Sequence, residues 1–220
     1  MSLFAYPESA RFARIIPKTK FYTHASLRAP VKRLFVTQVD QISWLYKLAP
    51  ETINVPATPL VNEIQIFGIT LKQGLLDAEV LRSIDASIPY PIIFELAYGD
   101  ALQVWAAYKR PHLHDDEQWQ VSDYFWSDWY SAHDARIPIP IAIDLERLYG
   151  HLIAPLLPYS ARIGERLSQH IVRLEQITQT QRAIARLQKR LRDEKQYNRK
   201  LQYHHELQTL THTLSTLTTP

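Results

Sequence analysis

The 220-residue chain contains no cysteine. That removes disulfides, thiolate nucleophiles and cysteine-bound zinc or iron–sulfur centres, and it accords with a reducing cytoplasm. Glycine is scarce, with five residues at 68, 74, 99, 150 and 164. A phosphate-binding loop needs glycines clustered so that backbone N–H groups reach the oxygens; scattered ones exclude the Walker A and dinucleotide fingerprints. No apolar run approaches the ~18 residues of a membrane span. Met1 to Ala10, with Tyr6, Pro7 and Glu8, has no apolar centre and is not expected to be a secretory signal. No Gly-x-Ser-x-Gly occurs, and Ser43 and Ser122 stand in no hydrolase motif. No residue is assigned a catalytic, metal-binding or cofactor-binding role.

What is present is an ordinary globular composition, 46% hydrophobic and 21% charged, with a net charge of +3. The charge is unevenly placed. Residues 1–50 carry eight Lys/Arg against two Asp/Glu, residues 51–160 six against fifteen, and residues 161–220 eleven against five. A basic head and a basic tail therefore flank an acidic middle. Either the ends meet a polyanion or an acidic partner, or they pair with the acidic middle within or between chains.

Pro30 suits the first turn of a helix, with Val31, Leu34 and Phe35 as its stripe. Val39 to Tyr46 is extended. Residues 63–72 carry apolar side chains in both phases and predict a strand buried on both faces. Asp77 caps a helix carrying Val80, Leu81 and Ile84. Ile92–Tyr98 and Ala101–Tyr108 flank Gly99-Asp100 and form a hairpin whose turn is type II′. Trp119–Trp126 is a third antiparallel strand, Ile137–Pro140 is extended, and Asp144 opens a helix through Leu152.

From Ala161 to Thr219 proline is absent and Gly164 is the sole glycine. Leu167, Leu174, Ile177, Ile184 and Leu191 recur at heptad-compatible spacing, with Gln181, Gln188 and Lys195 at the complementary core positions. This predicts one long helix or a helical hairpin, with a break near residues 193–198. The fold class expected is α+β: a mostly antiparallel sheet with flanking helices over 1–158, plus a coiled-coil-like C-terminal arm over 161–217 that supports self-association.

Candidate chemistry is sparse. A restriction-type nuclease needs an acid and a Glu-x-Lys pair on adjacent strands. Glu63, Lys72, Glu95 and Lys109 do not have that spacing, and Glu95 is expected to face outward. The His112–Glu117 segment has metal-competent side chains but reads as a solvated, charged hairpin loop, and His204 and His205 of the helical arm are likewise read as solvated side chains. The aromatic cluster from Trp119 to Tyr130 is expected to fill the core in one phase and to leave Trp129 and Tyr130 for an interface. Arg182, Arg186, Lys189 and Arg190 fall on one side of a helix, where they are either a solvated back or a track for a phosphate backbone.

Several segments then stand together in order: Ile16-Pro17-Lys18 with Phe21-Tyr22, VDQISWLYKLAPETIN over 39–54, Glu63–Phe67, Ile84-Asp85, Ile88-Pro89-Tyr90, and Phe94–Tyr108. On these the first 150 residues or so resemble the bacterial domain-of-unknown-function family 4391. The resemblance implies a companion of helicases and DNA methyltransferases in restriction-modification or phage-defence loci; together with the charge division and the thin seam it leads to the expectation of a noncatalytic accessory subunit that docks on a helicase- or methyltransferase-type partner, with the basic stripe as its contact to DNA. It supplies no catalytic residues. Within its Trp44–Pro50 segment, Lys47 is a candidate anion contact. Alternatives left open are a stand-alone nucleic-acid-binding module and an atypical metal-dependent nuclease using Glu63 or Glu95.

Overall fold

The computed structural model describes residues 3–24, 27–112 and 115–219. The chain divides into two compact units, residues 1–158 and 159–220.

The first unit begins with β1 (Phe4–Ala5), a short 3-10 turn, β2 (Arg11–Ile15), α1 (Lys18–His24) and α2 (Ala29–Gln38). It continues with β3 (Val39–Leu48), the single-turn α3 (Pro50–Ile53), β4 (Ile64–Leu71) and α4 (Ala78–Ser87). There follow β5 (Ile92–Tyr98), β6 (Ala101–His112), β7 (Asp115–Trp126), β8 (Tyr130–Ser131), β9 (Ile137–Pro138) and α5 (Leu145–Ile153).

Six strands run side by side in chain order from β2 to β7, with β8 on β6 beyond them. All these pairs are antiparallel except β4 with β5, which are parallel and joined by α4. The fold is therefore α+β with a mixed, mostly antiparallel sheet. β4 is central because apolar side chains occupy both of its faces, with Gln65 and Thr70 the polar exceptions. Asp77 and Asp144 cap α4 and α5 by accepting from Glu79 N at 2.9 Å and Arg147 N at 2.7 Å. Gly99 has φ +55°, and Asp100 lies outside the left-handed region, as the type II′ turn requires.

Paired positions on one face form an aromatic row. Trp44, Phe67, Phe94, Trp105 and Trp126 are consecutive register partners across β3 to β7, and Phe12 of β2 extends the row, its ring 4.0 Å from that of Trp44. Phe21, Phe35, Val80, Leu81 and Ile84 of the helices join this core. On the other face, Gly68 admits Leu45: a Cβ at 68 would come within 2.9 Å of its Cδ1. β2 is absent from the sequence reading because an exposed five-residue edge strand, bulged between Arg11 and Arg14, has no buried alternation to reveal it.

The second unit is an antiparallel hairpin of α6 (Leu167–Asp193) and α7 (Tyr197–Thr218). The break falls at residues 194–196. Gln181, Gln188 and Lys195, expected in the seam, are exposed. Leu187 takes their place, flanked by Ile184 and Leu191, because a fold-back needs apolar contacts only on the side facing its own partner. On α7 the shielded positions Tyr203, Leu207, Leu210, Leu214 and Leu217 repeat at intervals of four and three.

Candidate functional site

Three polar clusters lie in the first unit, and each is closed on itself. Lys47 on β3 stands opposite Gln65 on β4. Its Nζ is 2.6 Å from Glu51 Oε1 and 3.3 Å from Glu63 Oε2. Gln65 Nε2 donates to Glu63 Oε1 at 2.5 Å, and both of those side chains are buried. The hydrogen bond to Glu51 raises the Lys47 pKa and lowers that of Glu51. The reading of Lys47 as an anion contact is thereby corrected: its charge is already balanced by two carboxylates.

Lys109 is the second centre, and it is buried to 1% exposure. Its ammonium donates to the carbonyl oxygens of Asp85 and Ile88 at the C-terminus of α4 and lies 3.4 Å from Asp85 Oδ1. This satisfies orphan carbonyls and complements the negative end of the helix dipole. Tyr124 donates to Asp85 Oδ2, and Tyr149 of α5 donates to Ala107 O at 2.5 Å. Burial pushes the Lys109 pKa down and the Asp85 pKa up, each toward its neutral form.

Glu95 on β5 forms the third. Sequence parity suggested an outward position, yet it is 4% exposed. Arg136 grips it with Nη1 on Oε1 at 2.8 Å and Nη2 on Oε2 at 2.9 Å, and also donates to Phe4 O at 2.8 Å. The second sheet face is covered, so a carboxylate there requires a partner. Glu95 opposes Gly68, whereas Glu63 sits with Gln65 on the face of Phe67. The two glutamates named for a nuclease centre thus lie on opposite faces of the sheet, and one metal ion cannot be shared between them. Among the described residues no three His, Cys, Asp or Glu side chains gather to hold a metal ion. His114 lies outside the described residues, as do the side chains of His112 and of 115–117.

A groove of about 590 Å³ opens among Pro7, Ser9, residues 50–55 and residues 139–142. Glu51 is the one titratable side chain lining it, and Lys47 holds it. No acid–base pair converges there.

In the second unit, two arginines at the base of α6 secure the end of α7. Arg162 donates to Thr216 O at 2.5 Å and to Thr219 O at 2.9 Å, and Arg173 donates to Leu217 O at 3.0 Å. Glu165 accepts from Arg173 Nε and Nη2, both at 2.7 Å, which holds its pKa down to about 2. His170 is buried beside this clasp, and among the described residues its Nε2 has no hydrogen-bond partner.

The residues singled out from sequence separate into two groups. Leu174 and Ile177 are buried, and Leu167, Ile184 and Leu191 are partly so. The distal part of this stripe, Ile184 to Leu191, faces α7 of the same chain, so self-association through it requires the hairpin to open. Arg182, Arg186, Lys189 and Arg190 are all exposed. At about 100° per residue they lie within about 60° of the point opposite Ile184, on the outer side of α6. Trp129 is exposed, and Tyr130 is half-buried where β8 pairs with Leu102. Trp126 is 56% exposed and stacks on Trp105 at 4.7 Å.

Sequence reasoning missed the Lys109–Asp85, Arg136–Glu95 and Arg173–Glu165 pairs. The signal for the first was available: Lys109 continues an apolar strand, and Asp85 follows Ile84 on an apolar helix face.

The order β2 to β7, with one parallel pair bridged by α4 and a helical hairpin after it, is the architecture on which the family comparison falls. The family described as Domain of unknown function (DUF4391) matches residues 4–214. The chain belongs to that family. The match spans both units, so the arm is part of the DUF4391 architecture and not an appendage peculiar to this chain. No curated protein and no solved structure matches. Among the described residues no helix is long and apolar enough to cross a membrane.

Proposed function

We propose that this DUF4391 protein is a noncatalytic interaction subunit of a bacterial DNA-processing system of the restriction-modification or phage-defence kind. It docks on a helicase- or methyltransferase-type partner and contacts DNA. The supporting observation is where charge is buried in closed pairs and where it is exposed. In the first unit Lys47, Asp85 and Glu95 are each neutralised in place by neighbouring side chains, whereas the cations on the outer side of α6 face solvent. Catalytic acids and bases must exchange protons with a substrate in an open site, and paired, buried groups are poorly placed for that. Exposed Trp126 and Trp129 supply the large aromatic anchors that dominate protein interfaces.

The test is recovery of the tagged chain from its native host. A helicase or methyltransferase is expected to co-purify with it. Recovery of no DNA-processing protein overturns the docking reading. Metal-dependent cleavage of nucleic acid by the purified chain, abolished by Glu63→Ala or Glu95→Ala, overturns the noncatalytic one.

A further inference from the structure

The hairpin does more than carry a stripe; it gathers charge at one end. Residues 182–200 hold eight Lys/Arg and two Asp/Glu. That is a local charge of +6, equal to the whole charge of residues 161–220. Outside that stretch Arg162, Arg166 and Arg173 are matched in number by Glu165, Glu175 and Glu206, and Arg162 and Arg173 hold α7 carbonyls and Glu165. Of the two distal acids, Glu194 is occupied by the N–H groups of Lys195 and Gln196, both at 2.9 Å, and by Arg199 at 3.8 Å. The turn at 194–196 therefore places Lys195 and Arg199 beside the end of the α6 stripe, a juxtaposition that a single continuous helix would lack.

We infer that this distal end of the hairpin grips the phosphate backbone of duplex DNA without reading its sequence. The inference rests on the interaction-subunit reading and names the ligand of the α6 face. Arg182, Arg186 and Arg190 recur at each turn, about 6 Å apart along the axis, against a duplex carrying one charge per about 1.7 Å. α6 contains no Phe, Tyr or Trp, so its outer side offers no platform on which unpaired bases stack. Its distal positions 182, 185, 186, 189, 190 and 193 also present no large apolar side chain of the kind that anchors a protein partner. Tyr197, exposed at the start of α7, is a single aromatic ring and supplies no row of stacking platforms.

The test is fluorescence anisotropy of the purified full chain with a short labelled duplex across a salt series. The expected slope of log K against log salt is about −4 or steeper, at about −0.9 per neutralised phosphate. Two unrelated duplex sequences bind within about twofold of each other, as backbone contacts carry no sequence information. Replacing Arg182, Arg186, Lys189 and Arg190 by Gln flattens the slope by about 3 to 4. Gln keeps helix propensity, and circular dichroism verifies the fold of that variant. Tyr197→Ala leaves duplex binding unchanged. Absence of duplex binding at low salt, or an unaltered slope in the quadruple variant, overturns the inference. So does polyglutamate competing as well as duplex at equal charge, or single-stranded DNA binding more tightly with loss on Tyr197→Ala. Co-purification of a helicase or methyltransferase is independent of all these outcomes, so failure here leaves the docking reading standing.

Discussion

Arg173 and Glu165 meet end-on through two 2.7 Å hydrogen bonds, eight residues apart on either side of the start of α6. The pair ties the segment before the helix to the helix, and Arg173 carries the contact on to Leu217 O. Glu165, held at about 2 against an ordinary 4.5, contributes stability that is complete above its unfolded value and is lost as pH falls toward 2. His170 acts in the same sense and earlier. Burial lowers its pKa from 6.5, so its contribution declines as pH drops below that value. Thermal melts of the arm's helical signal should show two acid-dependent losses, one below about pH 6.5 and one between about 4.5 and 2. Glu165→Gln removes the lower one and leaves the upper. A melting temperature flat from pH 7 to 2 contradicts this assignment.

The Lys109 ammonium is the donor on which the end of α4 depends. Lys109→Met is expected to cost about 3–5 kcal/mol, the usual penalty for leaving a buried carboxylate without its partner. Lys109→Met with Asp85→Leu should recover part of that loss, since removing both charges leaves less to desolvate. Urea unfolding of these two variants and of Asp85→Leu alone checks both values, and single losses that simply add in the double variant would show that the pair is uncoupled.

Within the aromatic row, burial and not ring type sets the cost of truncation. Phe94 is fully buried, and Phe94→Ala should destabilise by about 3–5 kcal/mol. Trp126 ends the same row half in solvent. Trp126→Ala forfeits chiefly its stack on Trp105, about 0.5–1.5 kcal/mol. Comparable losses at the two positions, measured by chemical denaturation, would mean that Trp126 is covered in solution.

Arg136 and Glu95 give the counterpart on the opposite face. Arg136→Ala strands a carboxylate at 4% exposure and frees Phe4 O, so β1 and β9 should loosen along with it. Hydrogen exchange at the amide of Ile137, which donates to Leu3 O at 2.9 Å, should accelerate in that variant more than exchange in β4. Uniform acceleration across the sheet would instead indicate global destabilisation.

The amino-acid sequence by itself determined the elements whose signals are local. Residues 63–72 had to be a strand covered on much of both sides because apolar residues fall in both phases. Gly99-Asp100 had to turn, Asp77 and Asp144 had to cap, and a proline-free tail with a spaced apolar stripe had to be helical. The exposed α6 cations were equally legible, since helix periodicity alone places them on one side. Tertiary structure decided what depends on distant partners. It buried Glu95 because Arg136, forty-one residues away, arrives at its side of the sheet. It neutralised Lys47 between two glutamates, and it chose Leu187 over Gln188 for the seam because the helix folded back on α7. A side chain's alternation or charge gives its direction along one element; whether that direction ends in solvent or in another chain segment is fixed only when the segments pack.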